Sequence, residues 1–166
     1  MSLTDVDRAH LARCVELAAE ALEAGDEPFG SLLVAADGTV LAEDRNRIAG
    51  GDATRHPEFE LARWAAEHVA PADRPGATVY TSGEHCPMCA AAHGWAGLGR
   101  IVVATTTEQL QQWRREDSDD DADDDAAGSP VAPLPVSAVL PGAVVDGPAP
   151  QLADRVRSLH RRSRRG

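Results

Sequence analysis

The chain has 166 residues, 43% of them apolar but only 4% aromatic, and a formal net charge of -11. That length is most simply one domain, spanning 1–166, whose core is built from Ala, Leu and Val. The charge argues against a general nucleic-acid binder, and the lack of about 18 consecutive apolar residues argues against a membrane-spanning helix.

Thr4 is placed to cap a first helix with Asp7 in its first turn. This polar, acidic start lacks the basic and apolar regions of a signal peptide. Leu11, Cys14, Val15, Ala18 and Leu22 recur at helical spacing and should face the core, and Gly25 ends the helix. Ser31 to Ala35 reads as a buried strand. Asp37-Gly38 is a strong hairpin signal, so Val40 to Arg45 should run back as the second strand. Asn46 follows at that strand's exit, where it is either a turn residue or a polar contact.

A helix is expected from Pro57 to about Val69, with Trp64 in the core and His68 near the favourable C-terminal end of the dipole. Ala77 to Thr81 reads as a third strand. A helix beginning near Pro87 should run to about Leu98, and its small residues Ala90, Ala91, Ala92, Gly94 and Gly97 permit close approach to the sheet or to a second subunit. His93 reads as structural or interfacial, and Trp95 as either core or pocket wall. Arg100 to Thr105 is a fourth strand, Thr107 to about Arg115 a helix with Leu110 and Trp113 inward, and Val136 to Leu140 a fifth strand. Ala149 to Arg162 forms a last helix, with Leu152, Val156 and Leu159 on one face.

Between them the composition breaks. Glu116 to Asp125 carries eight carboxylates, without which the net charge would be about -3. The segment 116–135 is expected to be a mobile acidic loop. The end reverses sign, with Arg155, Arg157, Arg161, Arg162, Arg164 and Arg165, and this basic tail (155–166) reads as solvated.

The chemistry concentrates at His56-Pro57-Glu58 and Cys86-Pro87-Met88-Cys89. Zinc takes nitrogen and sulfur ligands in a tetrahedron, and catalytic sites leave the fourth position for water. His56, Cys86 and Cys89 supply three such ligands. Pro57 and Pro87 each suit the first position of a helix, so Cys86 would cap one and Cys89 would follow a turn later on the same side. The positive helix end favours the thiolates that a metal needs. Glu58, in the first turn of the other helix, is free to move protons. Three Cys make no disulfide framework. Cys14 is left as a buried small hydrophobe, and a reducing cytoplasm fits best.

His56-x-Glu58 followed by Cys86-x-x-Cys89 resembles the zinc-dependent cytidine deaminase superfamily. Pro28-Phe29-Gly30, Asn46, Tyr80-Thr81-Ser82 and Trp95 are similar to its guanine deaminase and tRNA adenosine deaminase branch, over roughly Leu11 to Thr107. Three positions depart from the pattern. His85 stands in place of Pro and reads as a loop residue, Gly83 stands where Cys is frequent, and Pro57 replaces a smaller residue.

The resemblance implies an α/β fold, a three-layer α-β-α sandwich with a mixed five-stranded sheet. It implies one Zn²⁺ per chain, Glu58 as catalytic proton carrier, and a homodimer. It also implies a base pocket contacted by Asn46, Phe29, Pro57 and Trp95, with Glu116 or Asp117 as a substrate-facing carboxylate. A small-molecule base is the expected substrate. A tRNA adenosine deaminase and a non-enzymatic zinc module remain as alternatives.

Overall fold

The computed structural model describes residues 3–117 and 130–164. Helix α1 (Asp5–Glu23) begins on a reciprocal cap, in which the Thr4 hydroxyl accepts from the Asp7 N–H and the Asp7 carboxylate accepts from the Thr4 N–H. Strands β1 (Gly30–Val34) and β2 (Val40–Arg45) form the expected hairpin, and Gly38 takes the left-handed φ of +89° that the turn requires. Helix α2 (Pro57–His68), strand β3 (Thr78–Thr81), helix α3 (Pro87–Ala96), strand β4 (Ile101–Val103) and helix α4 (Thr107–Glu116) follow in order. The expected spans hold to within one or two residues.

The sheet order is β2-β1-β3-β4-β5, with β5 a two-residue strand at Val145–Asp146. β1 is antiparallel to β2 and β3, while β3, β4 and β5 run parallel. Alternation along the strands divides the core. Leu32, Val34, Tyr80 and Val102 pack with Leu11, Cys14, Val15 and Ala18 of α1 and with Val156 and Leu159 of the last helix, α6 (Ala153–Ser163). Leu33 and Val79 face Leu61, Ala62 and Ala65 of α2. Ile101 and Val103 face Ala90 of α3 and Val136. This is the expected three-layer sandwich.

One expected strand is a helix. Val136–Val139 forms a single turn, α5, and the fifth strand lies further on at Val145–Asp146. A short apolar run has no periodicity that separates the two states. Here Pro135 starts the turn, and the Val136 N–H is taken by Glu84 Oε1 at 2.8 Å rather than by a neighbouring strand. The final helix also starts later than expected, after a 3₁₀ turn at Pro150–Leu152. Two small residues of α3 allow close packing within the chain: Ala90 lies against Ile101 and Val103, and a methyl group at Gly94 would lie 2.8 Å from Leu140 Cδ1, whereas Gly97 has open space beside it.

The basic tail is not simply solvated. Arg157, Arg161 and Arg164 converge on Asp117, the residue that closes α4, and so fasten α6 to α4. Glu116 is the last residue of that helix rather than part of a loop. The remainder of the acidic run, 118–125, lies outside the described residues.

A buried ion network joins the two parallel ends of the sheet to α1. Arg100 reaches Asp7 Oδ1 and Asp146 Oδ2, each at 2.7 Å, and the Tyr80 hydroxyl donates to Asp7 at 2.9 Å. Burial pushes the Asp7 carboxyl up, but hydrogen bonds from Arg100, Thr4 and Tyr80 together outweigh it and hold it well below the usual carboxylate range. Arg100→Ala leaves two buried carboxylates without that partner. It is expected to cost roughly 3 kcal/mol at neutral pH, the low end for an orphaned buried charge because Arg100 is itself partly exposed. A depressed carboxyl adds stability that is present above its unfolded pKa of about 3.9 and lost as pH falls below it. The difference between parent and variant in urea melts should therefore shrink below about pH 4.

Candidate active site

Two helix starts meet at the sheet. His56 is the N-cap of α2 and Cys86 the N-cap of α3, each followed by proline at the first helical position, and Cys89 sits one turn into α3. Proline here has no N–H to leave unsatisfied and sets φ for the helix. The Cys86 and Cys89 sulfurs are 3.5 Å apart, and His56 Nδ1 lies 3.6 and 3.7 Å from them. A tetrahedral zinc ion with Zn–S of about 2.3 Å and Zn–N of about 2.0–2.1 Å separates its ligands by roughly 3.5–3.8 Å. The three side chains fit that ion, and among the described residues they are the one group of this kind.

Electrostatics favour a cation here. Hydrogen bonding from Cys89 pulls the Cys86 thiol down to about 4, with His56 adding to it. The same bond, with burial, pushes Cys89 up. The proximity of Cys86 raises the His56 pKa, since the imidazole gains an acceptor and an anion.

Glu58 is 5% exposed, in the first turn of α2. Its Oε1 accepts from Ser31 Oγ at 2.9 Å and Thr81 Oγ1 at 2.6 Å, and its Oε2 lies 3.7 Å from Cys89 Sγ. Burial raises the Glu58 pKa, and the two hydroxyls only partly oppose it. A carboxylate made more basic in this way is suited to accept and return a proton. Thr81 Oγ1 also lies 2.8 Å from the Gly83 carbonyl.

The other expected site residues fall into two groups. Pro57 is buried at the start of α2, beside His56 and Glu58 in sequence. Asn46 is fully buried: its N–H donates to the Phe29 carbonyl, its Oδ1 accepts from the Ile48 N–H, and its Nδ2 is unpartnered. A buried amide donor without an acceptor is costly, and its free capacity suits the edge of a base. Phe29 lies over Gly83 and meets His160 edge-on, with ring centroids 5.0 Å apart. A Cβ at Gly83 would sit 2.8 Å from the Phe29 ring and 3.3 Å from Leu110. Gly83→Cys is expected to displace that ring and lower stability by about 1–3 kcal/mol, as overpacking does, measurable as a drop in Tm.

Trp95 stands apart, 92% exposed on α3, so it is not core and is not enclosed by the described residues. His85 differs in the opposite sense. It lies in the loop before α3, as read, but that loop buries it fully, edge-on to His93 at 5.3 Å, with neither ring nitrogen partnered. Burial, then His93, lowers its pKa and holds the ring neutral. Asp117 has its carboxylate taken up by the α6 arginines. Sequence reading missed Ser31 and Thr81. The signal available was two hydroxyls inside otherwise apolar strands.

Residues 4–105 match the family model of the cytidine and deoxycytidylate deaminase zinc-binding region. The chain belongs to this family. Its zinc-binding deaminase domain holds the metal, with His56, Cys86 and Cys89 as the candidate ligands. Over 106 residues the chain is 31% identical to a probable cytosine deaminase of Schizosaccharomyces pombe, covering 64% of each. It is 39% identical to the guanine deaminase of Bacillus subtilis over 88 residues, 52% of this chain and 56% of that one. It is 36% identical to a tRNA-specific adenosine deaminase of Agrobacterium fabrum over 97 residues, 57% and 63% respectively. The chain thus spans somewhat under two thirds of these relatives' length. A solved guanine deaminase of Nitrosomonas europaea superposes with a TM-score of 0.70 at 20% identity, covering 100% of this deaminase domain chain and 87% of that one, which shows the shared fold. Among the described residues no helix is long and apolar enough to cross a membrane.

Proposed function

We propose that this deaminase-family chain hydrolyses a free nucleobase or related amino-substituted azine, guanine-, cytosine- or aminotriazine-like, releasing ammonia. The observation that carries the reading is Glu58: a buried carboxylate, fixed by two hydroxyls, whose second oxygen lies against Cys89 Sγ. A structural zinc site has no use for such a group and fills all four positions with protein atoms.

Zinc bound by His56, Cys86 and Cys89 would supply Lewis acidity and bring the pKa of water down from about 15.7 toward about 7. Glu58 Oε2 is the atom that takes a proton from the attacking water. It hands that proton to the ring nitrogen beside the reacting carbon, then serves the departing amine. Asn46 Nδ2 donates to the base and fixes its edge. Pro57 and the ring of Phe29 give the flat apolar surfaces that an aromatic ligand needs. Trp95 joins the pocket only where a ligand or a second chain covers it, which agrees with a homodimer.

A second reading, a tRNA adenosine deaminase, draws on the relative of that activity. The charge distribution favours the small-molecule reading, since three arginines of the basic end are spent on Asp117. Ammonia release from zinc-loaded protein separates the options. The panel is guanine, cytosine, adenine, their nucleosides, aminotriazines and a tRNA anticodon stem-loop. Turnover of a free base is expected. Turnover of the stem-loop alone would establish the second reading, and silence throughout would leave a zinc module without this activity.

A further inference from the structure

We propose that the hydroxyls of Ser31 and Thr81 form a bracket that holds Glu58 as a proton carrier and prevents it from closing the metal site as a fourth ligand. This deepens the deaminase reading and rests on it. Glu58 Oε2 lies 3.7 Å from Cys89 Sγ, as near as the ligand atoms are to one another, yet the carboxylate stays outside the group of three whose ligand atoms all lie within 4.8 Å. A carboxylate oxygen is an ordinary zinc ligand. A flexible glutamate at that distance would therefore tend to bind the ion and displace the water it is meant to serve.

Three observations identify what holds it back. Ser31 on β1 and Thr81 on β3 are directly paired across the sheet, so their side chains rise from one face at one level. Both are fully buried, and both donate to the same oxygen, Oε1. That concentrates the hydrogen bonding on the side of the carboxylate away from the sulfurs. The hydroxyls also lie 3.0 Å from one another, and Thr81 Oγ1 has the Gly83 carbonyl at 2.8 Å as an alternative acceptor for its single proton, the Glu58 contact at 2.6 Å being the shorter. Apolar residues would suit these two buried strand positions at least as well by packing, and a buried hydroxyl needs a partner. The partner here is Glu58. Ser31 and Thr81 are thus positioning residues that act through it.

The test uses cobalt(II) in place of zinc, since its visible absorption reports ligand set and coordination number, with thiocyanate as probe of the open position. The parent and Thr81→Ser should both show a spectrum that shifts on adding thiocyanate. Ser31→Ala/Thr81→Val should show an altered spectrum that thiocyanate no longer perturbs, and adding Glu58→Gln to that pair should restore the response. A parent-like spectrum and response in the double variant would overturn the proposal, as would failure of Glu58→Gln to restore it. If the double variant does not fold, Thr81→Val alone decides. It should weaken thiocyanate binding at least about tenfold, and unchanged affinity counts against the bracket. On any base the parent deaminates, Thr81→Val should lower kcat with KM unchanged, and Thr81→Ser should recover it. A parent silent on every substrate would remove the deaminase reading, while the cobalt spectra would still decide the bracket.

Discussion

Glu58→Gln is expected to keep one zinc per chain while lowering turnover at least about a hundredfold, and up to about ten-thousandfold, the range for a positioned general acid–base group. The substitution is a clean one here. Glutamine has the same length, and its amide oxygen can still accept from Ser31 and Thr81 at the place now held by Oε1. None of His56, Cys86 and Cys89 is touched. What disappears is the ability of the atom facing Cys89 to carry a proton. Metal analysis and ammonia release on the same preparation check this together. Turnover near the parent value would remove Glu58 from the chemistry.

Cys86→Ala is expected to purify with markedly less than one zinc per chain and with correspondingly little activity. Losing a group behind a ligand typically weakens metal binding ten- to hundredfold, and losing the ligand itself should cost more. Cys86 carries the more acidic thiol of the pair, and it sits at the cap of α3, where the helix dipole also favours an anion. The fold should survive, because Cys86 is only partly buried and the helix retains Pro87 at its first position. Full zinc content in a well-folded Cys86→Ala protein would show that the ligands are wrongly assigned.

The parts of this molecule that could be read from the sequence are those set by local rules. Thr4 with Asp7, Asp37-Gly38, and the two prolines after His56 and Cys86 each fix a helix start or a turn through neighbours within four residues. They also carry the metal ligands, which is why that trio was legible. What escaped depended on distant partners. Val136 joins a helical turn because Glu84, some fifty residues away, takes its N–H. Asp117 has its carboxylate taken up by arginines forty and more residues later. His85 is buried against His93 through the folding back of its own loop onto α3. Ser31 and Thr81 meet Glu58 only once β1, β3 and α2 have assembled. Trp95, at 92% exposure, is enclosed by none of the described residues, so neither core nor pocket wall can be read from its own helix.

The order of the sheet has one more consequence. An outermost strand with unpaired backbone groups is a template for a neighbour's strand unless something blunts it. On one rim β2 carries Glu43, Asp44 and Arg45, engaged in salt bridges with Arg13, Arg47 and Asp26. On the other, β5 is two residues long and Pro148, without an N–H, follows two residues after its end. Neither rim of the described sheet invites its continuation into another molecule, and protection from fibrous aggregation is part of the architecture.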